Sequence, residues 1–382
     1  MVETYDCIVL GLGGIGSATV NALSRRGLRT LGLEQHGPAH DYGSSHGESR
    51  IIRTAYFEHP DYVPLLREAF TGWRALEAES GQTLLDSTGL FLSGPRDGEA
   101  ISGTLRAAAD HDLPLDVLSL SEARDRFPGF RFTGDDCVLF ERDAGSLQVE
   151  ACVQANLTRA ACRGAVLRFH EPAAEWSADS RGIRVCTDRG EYRAGRLIVT
   201  AGPWAERVLR TLGIKLRVWR KVQLWFPLRP DAGPSIPCFF FEEAQGAFYG
   251  LPSRGGGLIK VAEHSGGEEV EDPSLVDGKL HERDVGRVRE FVVERIPLAV
   301  ADVVRHSVCM YTMSPDGHFL LDQHPDHSTV WYAAGLSGHG FKFCGVLGNA
   351  LADYATNGRT ALPVEFLRSS RLTSTSGERV VE

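Results

Sequence analysis

The run CIVLGLGGIGSATV, Cys7 to Val20, passes from an apolar strand pattern into a glycine-rich turn and then into a helix pattern. Gly11, Gly13 and Gly16 stand in G-x-G-x-x-G spacing. In such a turn the first glycine permits the tight bend, the second lets backbone approach a pyrophosphate, and the third lets helix and strand pack closely. Residues 5–10 read as a buried strand, 14–26 as a helix and 29–34 as a second strand, a compact βαβ unit. Glu34 closes the second strand, where a carboxylate accepts both hydroxyls of a ribose, while the phosphates rest on the positive end of the helix. This unit alone accepts NAD or FAD.

Two later stretches end in the same way. LIVTAGPWAERVL (197–209) runs a buried strand into Ala201, Gly202, Pro203 and a helix, and WYAAGLSGHGFKF (331–343) repeats the form. Three glycine-rich strand ends converging on one ligand suit a long cofactor such as FAD. Between them lie two segments rich in strand patterns, 86–136 and 216–304, the second interrupted by a helix near 280–296. Another helix pattern near 60–79 places Tyr62, Leu65, Leu66, Phe70, Trp73 and Leu76 at helical spacing. The expected architecture is mixed α/β: a Rossmann-like FAD-binding domain from 1–85, 137–215 and 305–365, an interleaved antiparallel β-rich substrate domain from 86–136 and 216–304, and a flexible tail at 366–382.

Composition narrows the partners. The chain has 382 residues, 42% apolar, with net charge -9. That length suits two domains with a large core. The acidic balance and the lack of a long basic run argue against nucleic acid. No apolar stretch reaches spanning length, and a strand follows the N-terminus at once, so neither a membrane span nor a signal peptide is expected. The cysteines at 7, 137, 152, 162, 186, 238, 309 and 344 form no C-x-x-C pair, so no metal site is expected; the compartment reads as reducing and cytoplasmic.

The motifs GSSHGESRIIRTAY (43–56), AGPW (201–204), FYGLPS (248–253) with IKVAEH (259–264), VCMYTMSPDGHF (308–319) and GLSGHGFKF (335–343) lie along nearly the whole chain. In these the sequence resembles the monomeric sarcosine oxidase, N-methyltryptophan oxidase and pipecolate oxidase family of D-amino-acid-oxidase-like flavoproteins. The resemblance implies FAD attached covalently through its 8α-methyl carbon to Cys309. It implies that Lys342 and the amides of 337–340, with Gly338 and Gly340, lie near the flavin pyrimidine. It puts His46 and Arg50 beside the flavin and Arg53 on the substrate carboxylate. Lys260 would cover the flavin face away from substrate and assist oxygen reduction. Tyr249 and His264 would line the substrate pocket, shaped further by Phe240 and Phe241. The chain departs from the family at Ser45, where a second histidine is common.

The activity so implied is oxidation of a secondary amino acid, sarcosine or another N-methyl amino acid, with dioxygen reduced to hydrogen peroxide. A cyclic imino acid such as L-pipecolate or L-proline is the alternative substrate class. An NAD-dependent dehydrogenase rests only on the first βαβ unit, and a flavin-binding subunit without its own turnover would need a partner chain. A monomer acting on a small amino acid and dioxygen is the expectation.

Overall fold

The computed structural model describes residues 3–231 and 236–374. The first unit forms as the pattern requires: strand β1 (Glu3–Leu10), helix α1 (Gly14–Arg25) and strand β2 (Thr30–Leu33). Every residue of α1 from Gly14 to Ser24 is buried. The helix packs between those at Val149–Cys162 and Cys344–Asn357, which explains its small residues. A Cβ on Gly348 would stand 2.8 Å from the Ala18 backbone, so only glycine lets these two helices approach so closely. Asn21 donates to Asn156 at 2.8 Å and closes the other contact.

The first sheet has eight strands. β1 lies parallel between β2 and the Glu191–Val199 strand. That strand also pairs in parallel with His327–Ala334 at its end and antiparallel with Gly182–Thr187 at its start. The three glycine-rich strand ends therefore emerge on one edge, where parallel α/β sheets carry their ligands.

The second sheet has nine strands, antiparallel except where Cys238–Glu243 runs parallel to Leu90–Pro95. Its core is aromatic: Phe91, Phe127, Phe130, Phe239, Phe241 and Phe291 are all buried together. The helix Glu282–Arg295 covers it, stacking Phe291 on Phe248 with ring centroids 4.4 Å apart. A small three-stranded sheet, Ser49–Ile52, Leu85–Asp86 and Gly145–Gln148, links the two.

Sheet membership moves two expected boundaries. Asp136–Glu141 pairs with Leu90–Pro95, and Arg305–Met313 pairs along nine residues with the Arg217–Pro227 strand. Residues 137–141 and 305–313 therefore belong to the antiparallel sheet rather than the nucleotide unit, because long-range partners outweigh the strand-to-helix alternation that placed them. The expected flexible tail is also shorter. Leu367 is buried, Ser369 bonds Asp322 at 2.7 Å, and Arg371 pairs with Asp316 at 2.7 Å. The rest of that tail, 375–382, lies outside the described residues. Among the described residues no helix is long and apolar enough to cross a membrane, and no cluster of His, Cys, Asp or Glu could hold a metal ion.

Candidate active site

A cavity of about 490 Å³ runs between the sheets, lined at one end by Glu34 and at the other by Lys342. Its first end is made of backbone. Gly11 takes φ +88°, and a Cβ on Gly16 would overlap the Gly11 carbonyl oxygen. Gly13 caps α1 without a side-chain hydrogen bond, and the first turn holds no acidic residue, so the positive helix end faces the cavity unneutralised. Ser45, where the family commonly has histidine, accepts from the Gly14 N–H at 3.0 Å. Glu34 accepts from Leu12 N at 2.8 Å and His36 N at 3.0 Å, with His40 Nε2 3.4 Å away. Burial alone would raise the Glu34 carboxyl pKa, but the His40 ring and the two N–H donors outweigh it and hold it below the usual value. Gly202, at φ +53°, also lines this part.

The middle carries Cys309. Arg50 Nη2 lies 3.3 Å from its sulfur and also donates to Ser44 O at 3.2 Å. The Gln223 amide, in the orientation that satisfies both ends, accepts from Arg50 at 3.2 Å and donates to Gly47 O at 3.3 Å. Lys260 sits behind this layer and does not line the cavity. Its ammonium donates to Gly47 O at 2.9 Å and to Ser49 O, and burial pushes its pKa far below the ordinary lysine value. His46 is also withdrawn, with Nε2 on Gly43 O at 3.1 Å and Nδ1 on Ser307 at 3.2 Å. Burial, then the Arg50 charge, lowers it to about 4, so the ring is neutral.

The far end is made of side chains. Arg53 donates to Glu58 at 2.7 Å and Ala55 O at 2.9 Å, with its guanidinium carbon 4.4 Å from the Tyr56 ring centre and 4.1 Å from that of Phe57. Burial opposes ionisation of Glu58, but Arg53, His339 and Lys342 outweigh it and bring its pKa to about 2. Lys342 donates to His339 O at 2.8 Å and Tyr56 OH at 3.3 Å, and burial brings it down to about 7. Tyr56 OH meets His339 Nδ1 at 2.7 Å. His264 Nδ1 lies 3.3 Å from Tyr311 OH, and its ring stands beside Phe240 and Tyr249. Gly338, at φ +80°, packs against Tyr311 so closely that a Cβ would strike the ring, and Gly340 lines the same wall. Phe241 faces away into the aromatic core, because adjacent strand residues point to opposite faces; its expected place in the pocket is not met.

The FAD dependent oxidoreductase family model DAO matches residues 6–354. The chain belongs to that family. It is 40% identical to a monomeric sarcosine oxidase of Streptomyces avermitilis, covering 97% of this chain and 99% of that one. It is 32% identical to an N-methyl-L-tryptophan oxidase of Yersinia pestis, covering 96% and 99%. Among solved structures, the open form of NikD, described as an unusual amino acid oxidase essential for nikkomycin biosynthesis, aligns with TM-score 0.86 at 28% identity over 96% of this chain and 98% of that one.

The residues present fit the family's FAD. The helix end, with no acidic residue in its first turn, suits the pyrophosphate, Glu34 the ribose, and the same cavity is lined by Arg50, Cys309 and Lys342. An NAD-dependent dehydrogenase is thereby set aside. Of the site residues expected from sequence, Gly11, Gly13, Glu34, Arg50, Arg53, Gly202, Tyr249, His264, Cys309, Gly338, Gly340 and Lys342 meet at this cavity, whereas Gly16, His46 and Lys260 stand behind its wall. Glu58, His339 and Tyr311 line it and were not singled out. The latter two lie within GLSGHGFKF and VCMYTMSPDGHF, so the signal was present; Glu58 stands in an irregular loop and had none.

Proposed function

We propose that the protein oxidises a secondary amino acid whose carboxylate is held at the Arg53–Lys342 end of the cavity, with dioxygen as acceptor and hydrogen peroxide as product. The observation that carries this reading is the meeting of two buried cations, Arg53 and Lys342, in the wall of the cavity that the glycine turn also lines. Sequence kinship to enzymes named for sarcosine and N-methyl-L-tryptophan supports it. Bound flavin supplies an acceptor for a hydride equivalent from the carbon next to nitrogen and returns the electrons to dioxygen.

The chain's own residues bind, orient and dry the substrate. Lys342 uses two of its three N–H bonds on Tyr56 and His339, leaving one for a carboxylate oxygen. Arg53 is clamped by Glu58 and two rings, so its free edge points one way. Phe240, Tyr249, His264 and Tyr311 exclude water from the carbon that reacts. Glu58, held at about 2, stays ionised and is too weak a base to take the amine proton. The imine product hydrolyses in water after release.

Cys309 is the attachment point for the flavin. Replacing S–H and a methyl C–H by a C–S bond is a two-electron oxidation, for which dioxygen is the acceptor and hydrogen peroxide the product. Arg50, 3.3 Å from the sulfur, would place positive charge beside the flavin ring at the point of attachment. Lys260 serves oxygen reduction: a negative charge arising beyond the Gly47–Ser49 layer would favour its charged form.

A second reading, a cyclic imino acid, is favoured by one observation. Phe57 and Phe240 stand with ring centres 5.3 Å apart and offer an apolar wall larger than an N-methyl group needs. A peroxide assay with sarcosine, N-methyl-L-tryptophan, L-proline and L-pipecolate separates the readings. Peroxide from none of the four overturns the proposal.

A further inference from the structure

We propose that Lys221 is a positioning residue for the substrate end of the cavity: its ammonium ties down the turn at 264–266 and so sets where His264 stands. This inference rests on the reading of that end as an amino acid pocket. Lys221 lies on the Arg217–Pro227 strand, opposite Cys309 in the register. It is buried and does not line the cavity. Its Nζ donates to the carbonyls of His264 at 3.2 Å, Ser265 at 2.8 Å and Gly266 at 2.8 Å. Three donors therefore meet three acceptors on one turn. The same Nζ stands 5.3 Å from the centre of the Tyr311 ring, whose hydroxyl bonds His264. One hidden cation thus touches both the turn that carries His264 and the ring that receives it.

The charged and titratable neighbours are Glu263 and His264 on the turn's own strand end, Arg287 on the Glu282–Arg295 helix, and Cys309 and Tyr311 on the adjoining strand. Burial pushes the Lys221 pKa down to about 8, with Glu263 and Cys309 opposing and Arg287 assisting. A neutral amine has two N–H donors for three carbonyls, so one bond to the turn is lost as pH rises through that value. The hold is complete below it and weakens above it. His264 does not titrate in this window, since burial and then the Lys221 charge keep its pKa at about 3. Lys342 does titrate nearby, at about 7. Its contribution cancels when two variants that both retain it are compared.

The test uses (methylthio)acetate and tetrahydrothiophene-2-carboxylate, thioether counterparts of N-methylglycine and proline with no amine to titrate. Their binding to flavin-loaded protein is measured by calorimetry in the wild type, Lys221→Met, His264→Ala and the double variant. Lys221→Met is expected to weaken binding about tenfold near pH 6.5, and to add nothing once His264 is gone. The wild-type advantage should shrink to about fivefold or less near pH 9.5, where one of the three bonds to the turn is lost. An equal loss in the His264→Ala background, or an advantage constant with pH, overturns the role. If Lys221→Met does not fold, the advantage of wild type over His264→Ala must itself decline above about pH 8, and a constant ratio overturns the role. Failure of the wild type to bind either thioether overturns the amino acid reading and this inference with it.

Discussion

The two ends of the cavity are built from different materials. At the Glu34 end the work is done mostly by backbone: a glycine turn, a helix terminus without an acidic residue and N–H groups that orient one carboxylate. At the Lys342 end it is done by side chains: an arginine paired with a glutamate, a lysine with a lowered pKa, and a group of rings. The first end draws most of its groups from 11–45, with Gly202 added; the second collects 53–58, 240–264, 309–311 and 339–342. Backbone sites tolerate little added volume, whereas side-chain sites are tuned one charge at a time, and the expected effects of substitution divide along that line.

The largest expected effect lies between the ends. Cys309→Ala should convert retained flavin into released flavin: after acid denaturation and centrifugation, yellow colour stays with the wild-type pellet and moves to the supernatant of the variant. Flavin freely released by the wild type defeats the attachment. Next, Arg53→Met should weaken binding of a carboxylate inhibitor by about 2–5 kcal/mol, since it also strands Glu58, while flavin content changes little. Unchanged affinity would mean Lys342 anchors the carboxylate alone. Lys260→Met should slow re-oxidation of reduced protein about a hundredfold and leave anaerobic reduction nearly intact, as loss of one charge-stabilising group does. Stopped-flow absorbance follows each half; slowed reduction with normal re-oxidation would make Lys260 a substrate residue.

A pH titration sharpens the far end further. Lys342 binds a carboxylate best when charged, so affinity should be highest below about 7 and fall above it by up to about tenfold per unit. Lys342→Met should remove the part of that decline that begins near pH 7 in calorimetric titrations and leave the smaller one that Lys221 sets above about pH 8. The smallest effect belongs to the backbone end: Ser45→Ala removes the acceptor of the Gly14 N–H and should cost about 1 kcal/mol in thermal unfolding, with substrate affinity unaltered.

The same division explains what could be read in the sequence. The βαβ unit was legible almost to the residue, 14–26 against an observed helix of Gly14–Arg25, because its signals are local. Motifs singled out Arg53, Cys309 and Lys342, and the fold brings all three to one cavity. Sheet membership of 137–141 and 305–313 was not, since a strand pattern does not name its partner. Phe240 and Phe241 read alike, yet only the first reaches the cavity, a distinction that depends on which sheet face meets the nucleotide unit. Lys221 carries no local signal either: its partners lie 43 to 45 positions further on.

The placement of Arg305–Met313 in the antiparallel sheet has a mechanical side. The nucleotide phosphates would rest on α1, in the parallel sheet's layer, while the sulfur that would hold the flavin is stitched to the other sheet through nine paired positions. A cofactor bonded at Cys309 and cradled at Gly11 works as a rivet through both plates. The two plates then cannot part without tearing the cofactor from its phosphate seat, so the loaded protein should melt in one step where the flavin-free chain melts in two.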